Sequence, residues 1–221
     1  MLRRLQSARA WALFAVLLLA APFLRAQTPS ATQPAIVFRK IFKSSYPEFV
    51  EIKVAENGAC TADIRQLSDD PSPQPFHLGS SVVQRIFELA GNLHDFNGVN
   101  LEMHRRIANL GEKTFTYQDG AQVYRTSFNY STNASAQQLV DLFENLTRQQ
   151  TDLSDLQRTM QYDHLGVYDV VQRIQKDYDD KLLPDPSALL PTLDKLAAGA
   201  TYLDIARNVA RNLAGRIRNG H

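Results

Sequence analysis

Two histidines and an acid in one polar connection, His94-Asp95 and His104 within NLHDFNGVNLEMHRR, are residue types that could hold a divalent metal or move a proton. Zinc ligands usually fall at i,i+4 or C-x-x-C spacing, whereas these histidines are ten residues apart with no cysteine beside them. We therefore expect exposed loop histidines. Asp163-His164 offers a second acid and base, but neighbours on a helix point in different directions, so the two cannot act as base and orienter from one helix. A hydrolase nucleophile needs a special turn such as G-x-S-x-G, which the chain lacks. Gly79-Ser80-Ser81 could hold an anion on free amides at a helix start, although capping explains the serines with fewer assumptions. Asp177, Asp179 and Asp180 lack the glycine and terminal glutamate of a calcium loop and read as a solvated helix end. Phe38, Phe42, Tyr46 and Phe49 beside Arg39, Lys40 and Lys43 could stack on a partner; we expect instead a first strand or extended segment covering a sheet. The sequence thus designates no catalytic, cofactor-binding or metal-ligating residue, and we expect no cofactor.

The elements that would position these groups read as two hairpins and several helices. In FVEIKVAENGACTADIR (49–65) alternation decides the turn: a two-residue Asn-Gly turn mixes the faces, whereas a three-residue loop with Gly58 left-handed pairs Val54 with Cys60, Ile52 with Ala62 and Val50 with Ile64. That loop puts Cys60 on the core face, where a thiol behaves as a small hydrophobe with a raised pKa. Glu51, Lys53, Thr61 and Asp63 share the other face, so one side of the sheet is open. For residues 113–131, with Asp119-Gly120 at the tip, a two-residue turn aligns Phe115 with Tyr124 and gathers Tyr117, Phe128 and Tyr130 on the same face. Each hairpin alone is marginal, so the two should share one antiparallel sheet. Helices follow both, with capping-box spacing at Ser81/Gln84 and Ser135/Gln138. Leu139, Leu146, Leu153, Met160, Val167 and Ile174 recur every seven residues. An unbroken helix over 135–181 would be roughly 70 Å long, and Asp163 to Gly166 is where we expect it to break. Two further helices, 187–198 and 201–218, follow Pro184 and Pro186, and the last presents an apolar face that should fold back on the long helix.

The start of the chain reads as an export signal. Arg3, Arg4 and Arg9 precede fifteen residues, 10–24, that are apolar throughout, and Ala26 offers a small residue for cleavage. A spanning helix needs about 18 or more apolar residues, so we expect cleavage before Gln27 and no stable membrane span afterwards. Removing 1–26 takes four arginines and no acid, which leaves 20 Lys+Arg of 24 against 23 Asp+Glu. A slightly acidic mature chain has no electrostatic footprint for nucleic acid. The single cysteine rules out an intramolecular disulfide. Sequons at Asn129, Asn133 and Asn145 we read as chance.

Within residues 107–174, LGEKTFTYQDG, FNYSTNASAQQLVDLFENLT and YDHLGVYDVV resemble segments of an uncharacterised family of exported bacterial proteins. The resemblance brings no activity with it. The expectation is an α+β protein: signal peptide 1–26, flexible linker 27–35, a hairpin-helix-hairpin-helix domain 36–150 and a helical extension 151–221. Its expected role is that of a non-catalytic binding or scaffolding protein of the bacterial envelope, periplasmic or secreted. Its partner, a protein or a second copy, should meet it through the C-terminal helices. The alternatives are a periplasmic hydrolase or an inhibitor of a secreted enzyme. A cleft joining His94, His104 and an acid would favour an enzyme; exposed apolar surface on the C-terminal helices would favour a binder.

Overall fold

The computed structural model describes residues 33–103, 105 and 107–220, so the export segment, most of the tether after it and His104 lie outside the described residues. The fold is α+β. Strands β1 (Ala35–Ile41), β2 (Phe49–Ala55), β3 (Ala59–Arg65), β4 (Gln74–His77), β5 (Glu112–Asp119) and β6 (Gln122–Phe128) form one six-stranded sheet in the order β4-β3-β2-β1-β5-β6. Every neighbouring pair is antiparallel. Ala35 already belongs to β1, one residue inside the expected linker.

The first hairpin has the register that alternation requires, with Val54 opposite Cys60, Ile52 opposite Ala62 and Val50 opposite Ile64. Gly58 holds φ +86° in the loop, and a Cβ there would lie 2.7 Å from His77 Cε1. The second hairpin differs from expectation by two residues. Its central turn residues are Gly120 and Ala121, so Tyr117 faces Tyr124 and Phe115 faces Thr126. The faces survive because the slip is even. β1 joins the two hairpins, pairing with β2 on one side and β5 on the other. The short β4 carries Pro75, which an edge strand tolerates because it need not donate on both sides.

Helices α1 (Ser80–Gly91) and α2 (Ala134–Tyr162) cover one face of the sheet. Phe38 stacks on Phe143 of α2 at 5.0 Å between ring centroids, and Phe115 tilts against Phe128 at 5.5 Å. Neither expected capping box forms. Gly79 precedes α1 with no side-chain cap, and α2 begins earlier than expected, where Asn133 Oδ1 accepts from the Ala136 amide at 3.1 Å. In each case Ser-x-x-Gln falls inside the first turn.

The long seam breaks where glycine and aspartate weaken it. Asp163 closes α2, its Oδ1 accepting from the Gly166 amide at 3.1 Å, and α3 (Val167–Asp179) turns back along α2. The one-turn 3-10 segment Pro186–Leu189 leads into α4 (Leu190–Ala198), and α5 (Asp204–Asn219) completes the chain. Leu156 and Met160 of α2, Ile174 of α3, Leu193 of α4 and Leu213 of α5 bury one another in a second cluster. The apolar face of α5 is therefore largely covered within the chain.

A polar lock ties the two clusters together. Gln149, fully buried in α2, donates to the Asp185 carbonyl at 2.9 Å and accepts from the Asp185 amide at 3.0 Å. The Asp185 carboxylate in turn accepts from the Gly79 amide at 2.7 Å, at the start of α1. Those free helix amides thus already hold an internal anion.

Candidate functional site

The sequence-level candidates for chemistry do not come together. His94 starts a left-handed turn in which His94, Asp95 and Phe96 have φ of 53°, 52° and 68°. Such backbone costs on the order of 1–3 kcal/mol per residue, and its purpose is visible in Phe96, which is fully buried and stacks on Phe115 at 5.2 Å. The turn drives a ring into the core and leaves His94 exposed. Asp163 caps the α2–α3 turn, while His164 meets Tyr202 edge-on at 5.2 Å, so the two are employed separately. Among the described residues no group of three or more His, Cys, Asp or Glu could hold a metal ion. Cys60 faces the core, and burial pushes its thiol up to about 12, against weaker opposing hydrogen bonds from the Leu78 and Ala55 backbone. It is a packing residue.

The aromatic and basic strip is divided by the pleat. Phe38 is buried under α2, whereas Phe49 lies on the open face with Arg65 over its ring at 4.3 Å and Arg39 at 5.9 Å. Tyr46 stands 89% exposed in the β1–β2 loop. Lys40 turns to the helical side and reaches Glu144 of α2 at 2.7 Å.

Beneath that loop lies a cleft of about 570 Å³ between the end of β1 and the paired helices α2 and α3. Its floor is Phe38 and Val50, and its walls are charged. Arg173 of α3 donates from Nε to Asp152 Oδ1 at 2.7 Å and from Nη2 to Asp155 Oδ2 at 2.8 Å. Arg148 of α2 approaches Asp177 of α3 at 3.7 Å. Asp177 is therefore not part of a solvated helix end: it is buried at this interface, while Asp179 and Asp180 pair outside with Arg216 and Lys176. Asp152 is also buried, and its Oδ2 has no hydrogen-bond donor. Burial raises its carboxyl to about 6; the bond from Arg173 opposes the shift and the neighbouring Asp177 adds to it. Asp152 and Arg173 carry no motif, being 21 residues apart and joined only by the fold-back at Gly166.

A second cationic group is fully engaged by the backbone. Buried Lys113 donates from Nζ to the carbonyls of Leu110, Gly111 and Asn129 at 3.0–3.2 Å. Burial, with Lys40 adding to it, lowers its pKa. The ammonium organises the loop before β5.

The far end of the helical part is apolar and open. The Tyr202 hydroxyl donates to the Met160 carbonyl at 3.2 Å, and with the His164–Tyr202 ring contact this brings the α2–α3 turn against the α4–α5 turn. From the first turn Tyr162 and Leu165 stand 76% and 73% exposed; beyond the second, Leu203 and Ile205 stand 43% and 51% exposed. Among the described residues no helix is long and apolar enough to cross a membrane. No family model matches the chain, and no curated protein matches it.

Proposed function

We propose that the chain is an exported, non-catalytic binding or scaffolding protein of the bacterial envelope that meets a protein partner through the apolar end of its C-terminal helices. The observation that carries this reading is the grouping of Tyr162, Leu165, Leu203 and Ile205 on two turns that touch. Single exposed apolar residues need no explanation, but a contiguous group offers a contact surface. Covering it gains about 25 cal/mol per Å² of apolar area. The charged groups of the cleft under the β1–β2 loop are engaged with one another across elements, which supports binding over turnover.

Leu165→Asp combined with Ile205→Asp removes the surface without touching either core. Sedimentation of mature protein and recovery of native-envelope proteins on the immobilised chain should both change in the double variant. Concentration-dependent mass lost in the variant would identify the partner as a second copy. Identical profiles for the two proteins in both assays would overturn the reading. For export, N-terminal sequencing from the native host should return Gln27 or a residue within a few positions of it, and an intact Met1 in the soluble cytoplasm would defeat it.

A further inference from the structure

The α2–α3 fold-back places two carboxyl groups against each other in the interior. The side chains of Asp152 and Asp177 are only 4% and 7% exposed, and Asp177 is within hydrogen-bonding reach of Asp152. The cations around them do not suffice for three full partnerships. Arg173 is divided between Asp152 and Asp155, and Arg148 meets Asp177 only at 3.7 Å while half exposed. Lys40 from β1 is held by Glu144 of α2, and the Tyr46 side chain from the β1–β2 loop completes the ring of titratable groups lining the cleft. Asp152 Oδ1 receives Arg173, so the unsatisfied atom is Oδ2. A buried carboxylate oxygen without a donor is costly, and the cheapest donor available beside a second carboxylate is a proton.

We propose that Asp152 and Asp177 share one proton through Asp152 Oδ2, making the α2–α3 interface a clamp that tightens in mild acid. With Oδ2 protonated, Asp152 donates to Asp177 while Oδ1 still accepts from Arg173. One proton thereby satisfies the orphaned oxygen and removes the repulsion between the two acids. When it leaves, both carboxylates stand ionised in the interface and share two incompletely matched arginines. The folded carboxyl sits near 6, above its ordinary value, so the folded chain binds more protons than the unfolded one between roughly pH 4 and 6. The contribution is fully present below the ordinary carboxylate range and is lost as pH rises through about 6. An exported protein would meet such a change in acidified surroundings, but the clamp does not depend on where the chain resides or on what docks at its apolar end.

Asp152→Asn provides the test, because its amide oxygen can keep Arg173 and its amide nitrogen can donate to Asp177 at any pH. Urea unfolding of the mature protein followed from pH 7.5 to 4.5 should show the variant more stable at pH 7.5, with the difference closing as pH falls. Two decades separate about 6 from the ordinary value, so the ratio of the unfolding constants should change by up to about a hundred-fold across that range. Carboxyl carbon shifts of the unsubstituted protein give a second readout and should show one carboxyl titrating near 6 that Asp152→Asn and Asp177→Asn each abolish. A difference that is constant with pH, or a carboxyl spectrum with no midpoint above about 5, would overturn the proposal.

Discussion

Replacing Gln149 by leucine separates two physical readings of the same position. Gln149 occupies a seam position of the heptad pattern, where a leucine would complete the stripe and add on the order of 1 kcal/mol of burial. In the folded chain, however, its amide makes two bonds to the Asp185 backbone, at 2.9 and 3.0 Å. Leucine removes both. The Asp185 carbonyl keeps a longer bond from the Ala188 amide at 3.2 Å, but the Asp185 N–H is left bare in the interior. A bare buried donor costs about 1–3 kcal/mol, and losing the second bond costs about 1 more. Setting these against the leucine's gain leaves Gln149→Leu destabilised by about 2 kcal/mol, or roughly 4–8 °C in Tm for a domain of this size. Urea unfolding followed by circular dichroism at the helical band measures it, with an unchanged m-value required. A variant as stable as the parent, or more so, would refute the lock between the two clusters.

The one-sided sheet predicts that Ile52→Ala, at a fully buried position, costs about 2–4 kcal/mol. Lys53→Ala on the open face should stay within about 0.5 kcal/mol, and equal effects in urea unfolding would mean the faces are misassigned. Gly58→Ala combines a left-handed φ of +86° with a Cβ 2.8 Å from the Leu78 carbonyl oxygen, so its unfolding midpoint should fall. Gly91→Ala at the end of α1, with nothing within 4 Å, should leave the midpoint unchanged or raise it, and the opposite order would contradict the loop geometry. Cys60 should resist a thiol-modifying disulfide reagent at pH 8 in the folded state and react fully in urea, in keeping with its burial and raised pKa; rapid labelling of the native chain would show that the core face is accessible.

Much of this architecture was legible in residue order, wherever a local rule had only one consistent solution. Parity allowed a single turn length for the first hairpin, because any other mixed Val54, Ile52 and Val50 with charged residues. In the second hairpin parity fixed the faces but not the register, since a shift of two residues moves no side chain to the other side and Gly120 could take either turn position. Asp163 and Gly166 marked the helical break because both weaken a helix there. The caps misled: Asn133, three residues before Ala136, was a better candidate than Ser135, and at α1 the partner of Gly79 lies 106 residues away. That distance also explains why the charged cleft was invisible. Asp152, Arg173 and Asp177 look like ordinary helix-surface residues until α3 is laid against α2. The apolar end was partly anticipated in the C-terminal helices, although most of their stripe turned inward and the exposed residues come from turns.

The helix Ala134–Tyr162 serves two cores, and the residues of those cores do not interleave along the chain. The sheet cluster draws on Ile36 through Leu146, and the helical cluster on Leu156 through Ala214. A chain that lengthens from its N-terminus can therefore finish the sheet and close it with the first half of the helix before any later residue is needed. What then protrudes is a half-built helix bearing Leu156 and Met160, an apolar template on which α3, α4 and α5 can assemble in turn. The last joint to close is the one from Asp185 back to Gly79, which seals the order of assembly.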